Sequence, residues 1–201
     1  KIYFTNLTIL LISSTNIGIS KDADLYHLQN QAWIRDERIV FGLSNINPYL
    51  GYSSIFEYIN SFLWLDKNYI LIHFVSLYIL ASLFDLIFKF IRSDFAYQRK
   101  LGYVFLTIGI LDNFGFSGGR NGFLFIQETF KYDHIFSSLF MISILLFFVV
   151  YNNKYDSFGI SILFIISIFA IQTRFIGHIL LILIIVLMFK KYPISLKSNF
   201  I

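Results

Sequence analysis

The stretch YILIHFVSLYILASLFDLIFKFI, residues 69–91, decides the class of fold that this sequence predicts. Asp85 and Lys89 are its only charged residues. A helix needs about 20 mostly apolar residues to cross the hydrocarbon core of a bilayer, so this stretch is long enough to span one. Because Asp85 and Lys89 are one helical turn apart, we predict an ion pair that lowers the cost of a charge inside the span.

Five other apolar segments extend this pattern along the chain. The predicted spans are residues 2–19, 69–91, 101–116, 135–151, 157–172 and 174–192. Each is expected to be a helix, because a backbone facing lipid must satisfy its own hydrogen bonds and the alternation of barrel strands is not seen. The predicted fold is therefore an all-α, polytopic integral membrane protein with about six transmembrane helices, in which residues 1–201 form a single membrane domain. Since the chain starts with Lys1 and is apolar almost to Ile201, we expect it to be a fragment of a longer protein.

The composition also indicates a chain that is surrounded by lipid rather than by water. Of the 201 residues, 57% are hydrophobic and 14% are charged, whereas a soluble domain has about 25% charged residues. The net charge of +4 does not indicate nucleic-acid binding, because Lys and Arg fall in short clusters between apolar runs. Without cysteine, the chain has no thiolate metal site and no disulfide. The expected partner is the lipid bilayer and not a nucleic acid.

The positions of the basic residues predict how the chain is oriented. They include Lys89, Arg92, Arg99, Lys100, Lys154, Lys190, Lys191 and Lys197. If the spans alternate in direction, all of these lie on one side, which the positive-inside rule assigns to the cytoplasm. Residues 20–68, 117–134 and 172–174 then lie on the periplasmic or exterior side.

The first exterior loop has two segments with helical character. Residues 24–38 contain few helix breakers and have apolar residues at helical spacing, which predicts a helix on the membrane surface. The stretch SSIFEYINSFLWL, residues 53–65, is amphipathic but too short to span comfortably. We predict that it lies at the interface, with Trp64 and the tyrosines as anchors.

Two acids stand at the start of this loop. Asp22 and Asp24 precede the predicted helix, and either carboxylate is suited to cap it. The same carboxylates are also suited to act as a general base or to bind a hard divalent cation. His27 shares a helix face with one of them, as a hydrogen-bonded interface residue or as a ligand. The adjacent Gln29, Asn30 and Gln31 fit a solvated helix face and a sugar-binding face equally well.

Four further polar residues lie in or close to segments predicted to be exterior. Arg120 is a candidate to bind phosphate, in a glycine-rich loop that lacks nucleotide-binding spacing. Asp133 either caps the fourth span or joins the first-loop acids in a shared cleft. Arg174 either extends to the membrane interface or, with His178 one turn later on the same face, binds a lipid phosphate.

The stretch DADLYHLQNQAWIRDERIVFGLSNINPYLGYSSIF, residues 22–56, resembles the first exterior loop of bacterial multi-spanning proteins of the GT-C glycosyltransferase type. In one uncharacterised group that loop has the approximate pattern D-T-G-L-Y-H, followed by W-I and then by G-L-x-N. It ends with a stretch similar to L-G-F-N-S-S. The residues on this pattern are Asp22, Leu25, Tyr26, His27, Trp33, Ile34, Gly42, Leu43, Asn45, Leu50, Gly51, Ser53 and Ser54. Asp24 replaces a small residue, and Tyr52 stands where Phe is usual. Later in the chain, Asp133 and FAIQTRFIGHILL at 169–181 are similar to parts of the family, without the Ser-Pro-rich context expected before Asp133.

This resemblance implies a membrane enzyme that transfers a sugar, with inversion, from a polyprenyl-phosphate donor to an envelope glycan, lipid or protein acceptor. It implies location in the bacterial inner (plasma) membrane with the reaction at the exterior face. Asp22 would be the general base or would organise a divalent cation, with Asp133 the other candidate metal ligand. The residues expected to bind substrate are Asp24, His27, Arg120, Asp133, Arg174 and His178. The alternative is a non-enzymatic membrane transporter or polysaccharide-assembly protein, although no inverted repeat with broken helices is visible in the sequence.

Overall fold

The computed structural model describes residues 2–13, 18–19, 23–37, 41–51, 54–65, 70–113, 128–129, 132–152 and 157–191. The long helices within these ranges are α1 Ile2–Ser13, α5 Ile70–Ile91, α6 Ala96–Asn113, α7 Tyr132–Asn152, α8 Ser157–Thr173 and α9 Leu180–Lys191. The first loop contains a π-helical turn Ala23–His27, α2 Leu28–Asp36, α3 Leu43–Ile46, a 3-10 turn Pro48–Gly51 and α4 Ile55–Leu63. Another 3-10 turn, Phe175–Ile179, precedes α9. The strands β1 Gly18–Ile19 and β2 Glu128–Thr129 pair in parallel.

The prediction of an all-α fold is confirmed. Each of the six predicted apolar segments falls on a helix, and in the described part of the chain two helices are long and apolar enough to cross a membrane. These are Leu71–Ile91 and Tyr132–Asn152. The helices over 3–12, 157–173 and 175–190 are apolar but shorter. Two such helices support association with a membrane, and the count of six spans stays a prediction.

Two predicted boundaries are wrong. The first helix ends at Ser13 rather than at residue 19, and Gly18–Ile19 pairs with Glu128–Thr129 instead. Residues 14–17 of the predicted span lie outside the described residues, and the strand pairing at Gly18–Ile19 excludes a helix there. The third helix begins at Ala96 rather than at 101, because the helix includes a polar first turn that precedes the apolar segment. Residues 114–116 of that predicted span lie outside the described residues.

The longest helices, α5 and α7, run in the same direction. Val75 near the start of α5 packs in one cluster with Ile135 near the start of α7. Ile87, further along α5, packs in another cluster with Leu145 of α7. Asp85 is half-buried and forms the predicted ion pair with Lys89, at 2.7 Å between Oδ2 and Nζ.

Helix α9 runs parallel to α7, and α8 returns between them. Leu180 at the start of α9 clusters with Ile135, whereas Leu187 clusters with Val150. Ala170, near the end of α8, lies in the first of these clusters, so α8 runs the opposite way. The starts of α5, α7 and α9 therefore meet at one end of the bundle, together with the end of α8.

The basic residues at helix ends lie at the other end of the bundle. Lys89 and Arg92 come at the end of α5 and just after it. Lys190, near the end of α9, donates to the carbonyl oxygen of Tyr151 and lies 3.4 Å from the centroid of its ring. The loop helices α2 and α4 pack at the opposite end, where Phe56 of α4 joins the cluster that contains Tyr132 and Ala170.

Candidate functional site

A cleft of about 810 Å³ opens at the end of the bundle where the first loop meets α7 and α8. The first loop contributes Tyr26, His27 and Glu57 to its lining. The turn between α8 and α9 contributes Arg174 and His178. Residues from each of the three segments that were predicted to be exterior therefore line this cleft, with Tyr132 as the contribution of the second segment.

Glu57 is the buried acid of this cleft. It is 1% exposed, and its Oε1 forms a short hydrogen bond with Nδ1 of His27. Its Oε2 accepts a hydrogen bond of 3.0 Å from Nε2 of Gln31. A carboxylate removed from water is costly unless it is paired and hydrogen bonded, and both oxygens of Glu57 meet that condition.

Tyr132, the first residue of α7, connects this acid to the helix bundle. Its hydroxyl accepts hydrogen bonds from Nε2 of Gln31, at 2.8 Å, and from Nδ2 of Asn60, at 3.0 Å. The edge of its ring also packs against the His27 imidazole, with 4.6 Å between ring centroids. Residues from α2, α4 and α7 thus form one buried polar network that fixes the position of the loop helices on the bundle.

The spacing of the polar residues explains why two short helices form this network. His27, Asn30 and Gln31 are spaced i, i+3 and i+4, so they share one side of the turn and helix that contain them. Glu57, Asn60 and Ser61 repeat the same spacing on α4, and all six residues are buried. The two polar faces therefore pack against each other.

Glu57 and Tyr132 were not predicted as site residues, and Gln31 was predicted to lie on either a solvated or a sugar-binding helix face. The repeated i, i+3, i+4 polar spacing was the available signal, but a helix lying in water shows the same spacing. Helices are present at the predicted surface segments 24–38 and 53–65, and their polar sides face each other inside the protein. The location of these helices at a membrane surface stays a prediction.

Arg174 and Asp133 form an ion pair in the same region. The distance between the Arg174 guanidinium nitrogen and Oδ1 of Asp133 is 2.5 Å, and their side chains are 49% and 43% exposed. An exposed pair of this kind contributes about 0–1 kcal/mol, so it breaks readily when a competing anion arrives. Asp133 is in the first turn of α7, where a negative charge is favourable, which agrees with the predicted capping position.

Arg174 and His178 both line the cleft, but not as successive turns of one α-helix. Arg174 has an extended backbone and lies immediately before the 3-10 turn. The chain reverses its direction here, between α8 and α9. Nδ1 of His178 donates to the carbonyl oxygen of Phe175 at 2.6 Å. That bond orients the ring and leaves Nε2 as the atom available to a ligand.

Several predicted site residues lie outside the described residues. These are Asp22 and Arg120, together with the side chain of Asp24, whose backbone belongs to the π-helical turn. Among the described residues, no three His, Cys, Asp or Glu side chains converge to hold a metal ion. Asp133 is engaged by Arg174, so the divalent cation and its ligands stay predictions.

The outer end of α2 contains a second ion pair that does not line the cleft. Arg35 donates two hydrogen bonds of 2.6 Å to Asp36, which lower the pKa of the Asp36 carboxyl from its ordinary value. The Arg35 guanidinium also lies over the Trp64 ring, 4.6 Å from its centroid. This contact connects the end of α2 to the end of α4.

Fold and site together define an all-α protein with a polar cleft at one end of its bundle and, in the described residues, two helices long and apolar enough to cross a membrane. The chain belongs to the family described as a domain of unknown function, DUF8201, which matches residues 1–201. Comparisons with curated proteins and with solved structures gave no match.

Proposed function

We propose that this protein is a GT-C-like membrane glycosyltransferase that moves a sugar from a polyprenyl-phosphate donor to an acceptor hydroxyl group at the exterior face. One observation carries the proposal. Residues of the stretch that resembles the GT-C exterior loop line the cleft, and Arg174, a cation that suits a phosphate, lines the same cleft. Donor phosphate, sugar and acceptor can therefore be held at a single place.

The apolar surface of the bundle supports a multi-pass arrangement in a membrane, which we propose is the inner membrane. Large apolar side chains are exposed along α6, α8 and α9, including Tyr103, Ile108, Leu111, Phe158, Phe164, Ile165, Ile182, Ile185, Met188 and Phe189. Soluble monomers rarely expose apolar patches of this extent, whereas lipid covers them at no cost. The proposed arrangement has six helices across the membrane, with the cleft outside and the end that contains Lys89, Arg92 and Lys190 in the cytoplasm.

Arg174 and His178 are proposed to bind the phosphate of the donor. A planar guanidinium suits two phosphate oxygens at once, and its positive charge stabilises the oxygen that leaves with the lipid. Arg174 would exchange its half-exposed partner Asp133 for this phosphate. The exchange is inexpensive because the existing ion pair is weak.

The sugar is proposed to lie along the aromatic residues of the first loop. Tyr26 and Tyr49 stack with 5.2 Å between ring centroids, and both line the cleft near Tyr58. Aromatic rings with hydroxyl groups present an apolar face to the C–H side of a sugar and a polar edge to its hydroxyls. Asp24 and Arg120 remain predicted contributors to binding.

Asp22 keeps the two roles that the resemblance implies, as a base or as an organiser of a divalent cation. It comes immediately before the turn Ala23–His27, two residues of which line the cleft. A cation held there would supply positive charge to the leaving phosphate, and Asp133 is the other candidate ligand. The acceptor class, whether glycan, lipid or protein, follows from the resemblance alone.

The experiment uses the purified protein in lipid nanodiscs with a panel of undecaprenyl-phosphate-linked hexoses and pentoses, and octyl glycosides as acceptors. Transfer is measured as labelled octyl disaccharide. Arg174→Gln is expected to raise the KM for the donor at least tenfold, which corresponds to about 1.4 kcal/mol of lost donor binding. Arg92→Gln removes the same charge at the other end of the bundle and is the control. Donor binding without transfer by the wild type would contradict the enzyme proposal and favour a transport or assembly role.

A further inference from the structure

We infer that His27 and Glu57 form an acid–base pair in which His27 takes the proton of the acceptor hydroxyl group and Glu57 positions the imidazole ring. The substrate class in this assignment rests on the proposed function. The residues and contacts that support the assignment do not depend on the proposed function, because they are observed in the structure of the cleft.

The contact between the two side chains determines which nitrogen of His27 acts. We assign the proton of the neutral ring to Nδ1, because the Glu57 carboxylate oxygen that it contacts is a hydrogen-bond acceptor. In the neutral ring, Nε2 is then the basic atom. His27 lines the cleft while its ring is largely buried, so the imidazole is held beside the space that the substrates would occupy.

Glu57 has the properties of a positioning residue. Its side chain is almost fully buried, and Gln31 occupies the oxygen that His27 does not. Gln31 and Asn60 are in turn held by the Tyr132 hydroxyl at the start of α7. A carboxylate fixed in this way sets both the ring orientation and the tautomer of the histidine, and it stabilises the imidazolium that forms when the ring accepts a proton.

The ring is also fixed from its sides. Tyr26 lies 4.1 Å from it between ring centroids, and Tyr132 meets it edge-on at 4.6 Å. Among the described residues, the titratable or charged side chains that line the cleft with His27 are Tyr26, Tyr49, Glu57, Tyr58, Tyr132, Arg174 and His178. Glu57 is the one of these that is hydrogen bonded to the His27 ring.

The proposed step balances with no further reactant. The O–H bond of the acceptor breaks, its proton goes to Nε2 of His27, and the oxygen lone pair forms a bond to the anomeric carbon. The bond between that carbon and the donor phosphate oxygen breaks, and its electron pair leaves with polyprenyl phosphate. His27 then returns the proton to solvent. In this assignment His27 replaces Asp22 as the base, which leaves Asp22 its other proposed role, the organisation of a divalent cation.

Kinetics of four variants test the pair in the nanodisc assay. His27→Gln is expected to lower kcat by about 100-fold or more, which is the usual effect of losing a general base. Glu57→Gln keeps the shape of the side chain, and it is expected to lower kcat while the KM for the donor is unchanged. The matched control is Glu37→Gln, which removes an exposed carboxylate at the end of α2 and should leave both constants unchanged. Asp22→Asn is expected to act mainly on the KM for the donor.

Chemical rescue separates proton transfer from a structural role. In His27→Ala, added imidazole is expected to restore transfer in proportion to its concentration, because it can occupy the vacated space and accept the proton. It should not restore Glu57→Gln. Full kcat in His27→Gln, or a loss in His27→Ala that imidazole does not relieve, would overturn the assignment while transfer by the wild type keeps the proposed function.

Labelling of the wild type covers the case in which the variants do not fold. Diethyl pyrocarbonate is expected to modify His27 in the free protein, and undecaprenyl-phosphate-linked sugar together with octyl glycoside should protect it. His73, which is 2% exposed and does not line the cleft, is the internal control that should stay unmodified. Equal modification of His27 with and without substrates overturns the pair. A wild type that transfers no sugar from any donor overturns the proposed function, and the role of His27 as its base with it.

Discussion

Gln31 is the residue on which the buried network most depends. Its amide group donates to Oε2 of Glu57 and to the Tyr132 hydroxyl, and it therefore connects α2 to both α4 and α7. The side chain is completely buried, so water does not replace these hydrogen bonds when they are lost. Gln29, two residues earlier on the same helix, is exposed and is a natural comparison.

We predict that Gln31→Leu destabilises the protein by about 1–3 kcal/mol, because it leaves a buried oxygen of Glu57 without its donor and removes one of the two donors to the Tyr132 hydroxyl. Gln29→Leu makes the same chemical change on the exposed side and should alter the free energy of unfolding by less than about 0.5 kcal/mol. Unfolding in detergent, followed by circular dichroism, measures both. Similar losses in the two variants would contradict the network's contribution to stability.

At the scale of elements, two glycines determine how closely helices approach. A Cβ at Gly177 would lie 2.9 Å from the carbonyl oxygen of Ala170 and from the Cα of Ile171, so the turn that contains Arg174 packs directly on α8. A Cβ at Gly102 would lie 2.8 Å from the backbone nitrogen of Ile91, where α6 packs on α5. At both positions the added methyl group would meet backbone atoms. It can therefore be accommodated only if the backbone shifts.

The pair Gly177→Ala and Gly102→Ala therefore separates a local effect on the site from a general loss of stability. Both are expected to cost about 1–3 kcal/mol, the usual result of overpacking. Gly177→Ala should also raise the KM for the polyprenyl-phosphate donor, because it displaces the turn that contains Arg174 and His178. Gly102→Ala lies at the other end of the bundle and should leave that KM unchanged. An equal change of KM in both variants would argue against a donor site at the turn.

At the scale of the whole molecule, the helix directions place the cleft and the basic helix ends at opposite ends of one bundle. The parallel packing of α5, α7 and α9 requires this arrangement. If the bundle crosses a membrane, the two ends face different compartments. The absence of cysteine in the sequence makes a direct test practicable, because any thiol introduced is the only one.

We predict that single cysteines at Tyr58 and Phe175, both exposed at the cleft end, react with a membrane-impermeant maleimide in intact cells. A cysteine at Tyr151, near the basic end, should react only after the membrane is permeabilised. The readout is a mass shift of the labelled protein, with a permeant maleimide as the control for reactivity. Labelling of all three from the same side would contradict the proposed topology.

The sequence by itself determined the features that arise within one stretch of chain. The helices α5, α7 and α8 lie within a few residues of their predicted positions, because apolar composition and length decide them locally. The pair Asp85–Lys89 was predictable for the same reason, since helix geometry alone brings residues four apart together. Charge clustering also predicted which loops share a side of the membrane, and that assignment stays a prediction.

Only the tertiary structure decided the site. Glu57 is 30 positions from His27, and Gln31 is 101 positions from Tyr132, so no local pattern specifies these hydrogen bonds. The polar faces of α2 and α4 have the spacing of helices that lie in water, and their burial depends on each face supplying the partners that the other requires. A single sequence shows the polar residues and their period, but whether water or another helix satisfies them is settled by packing.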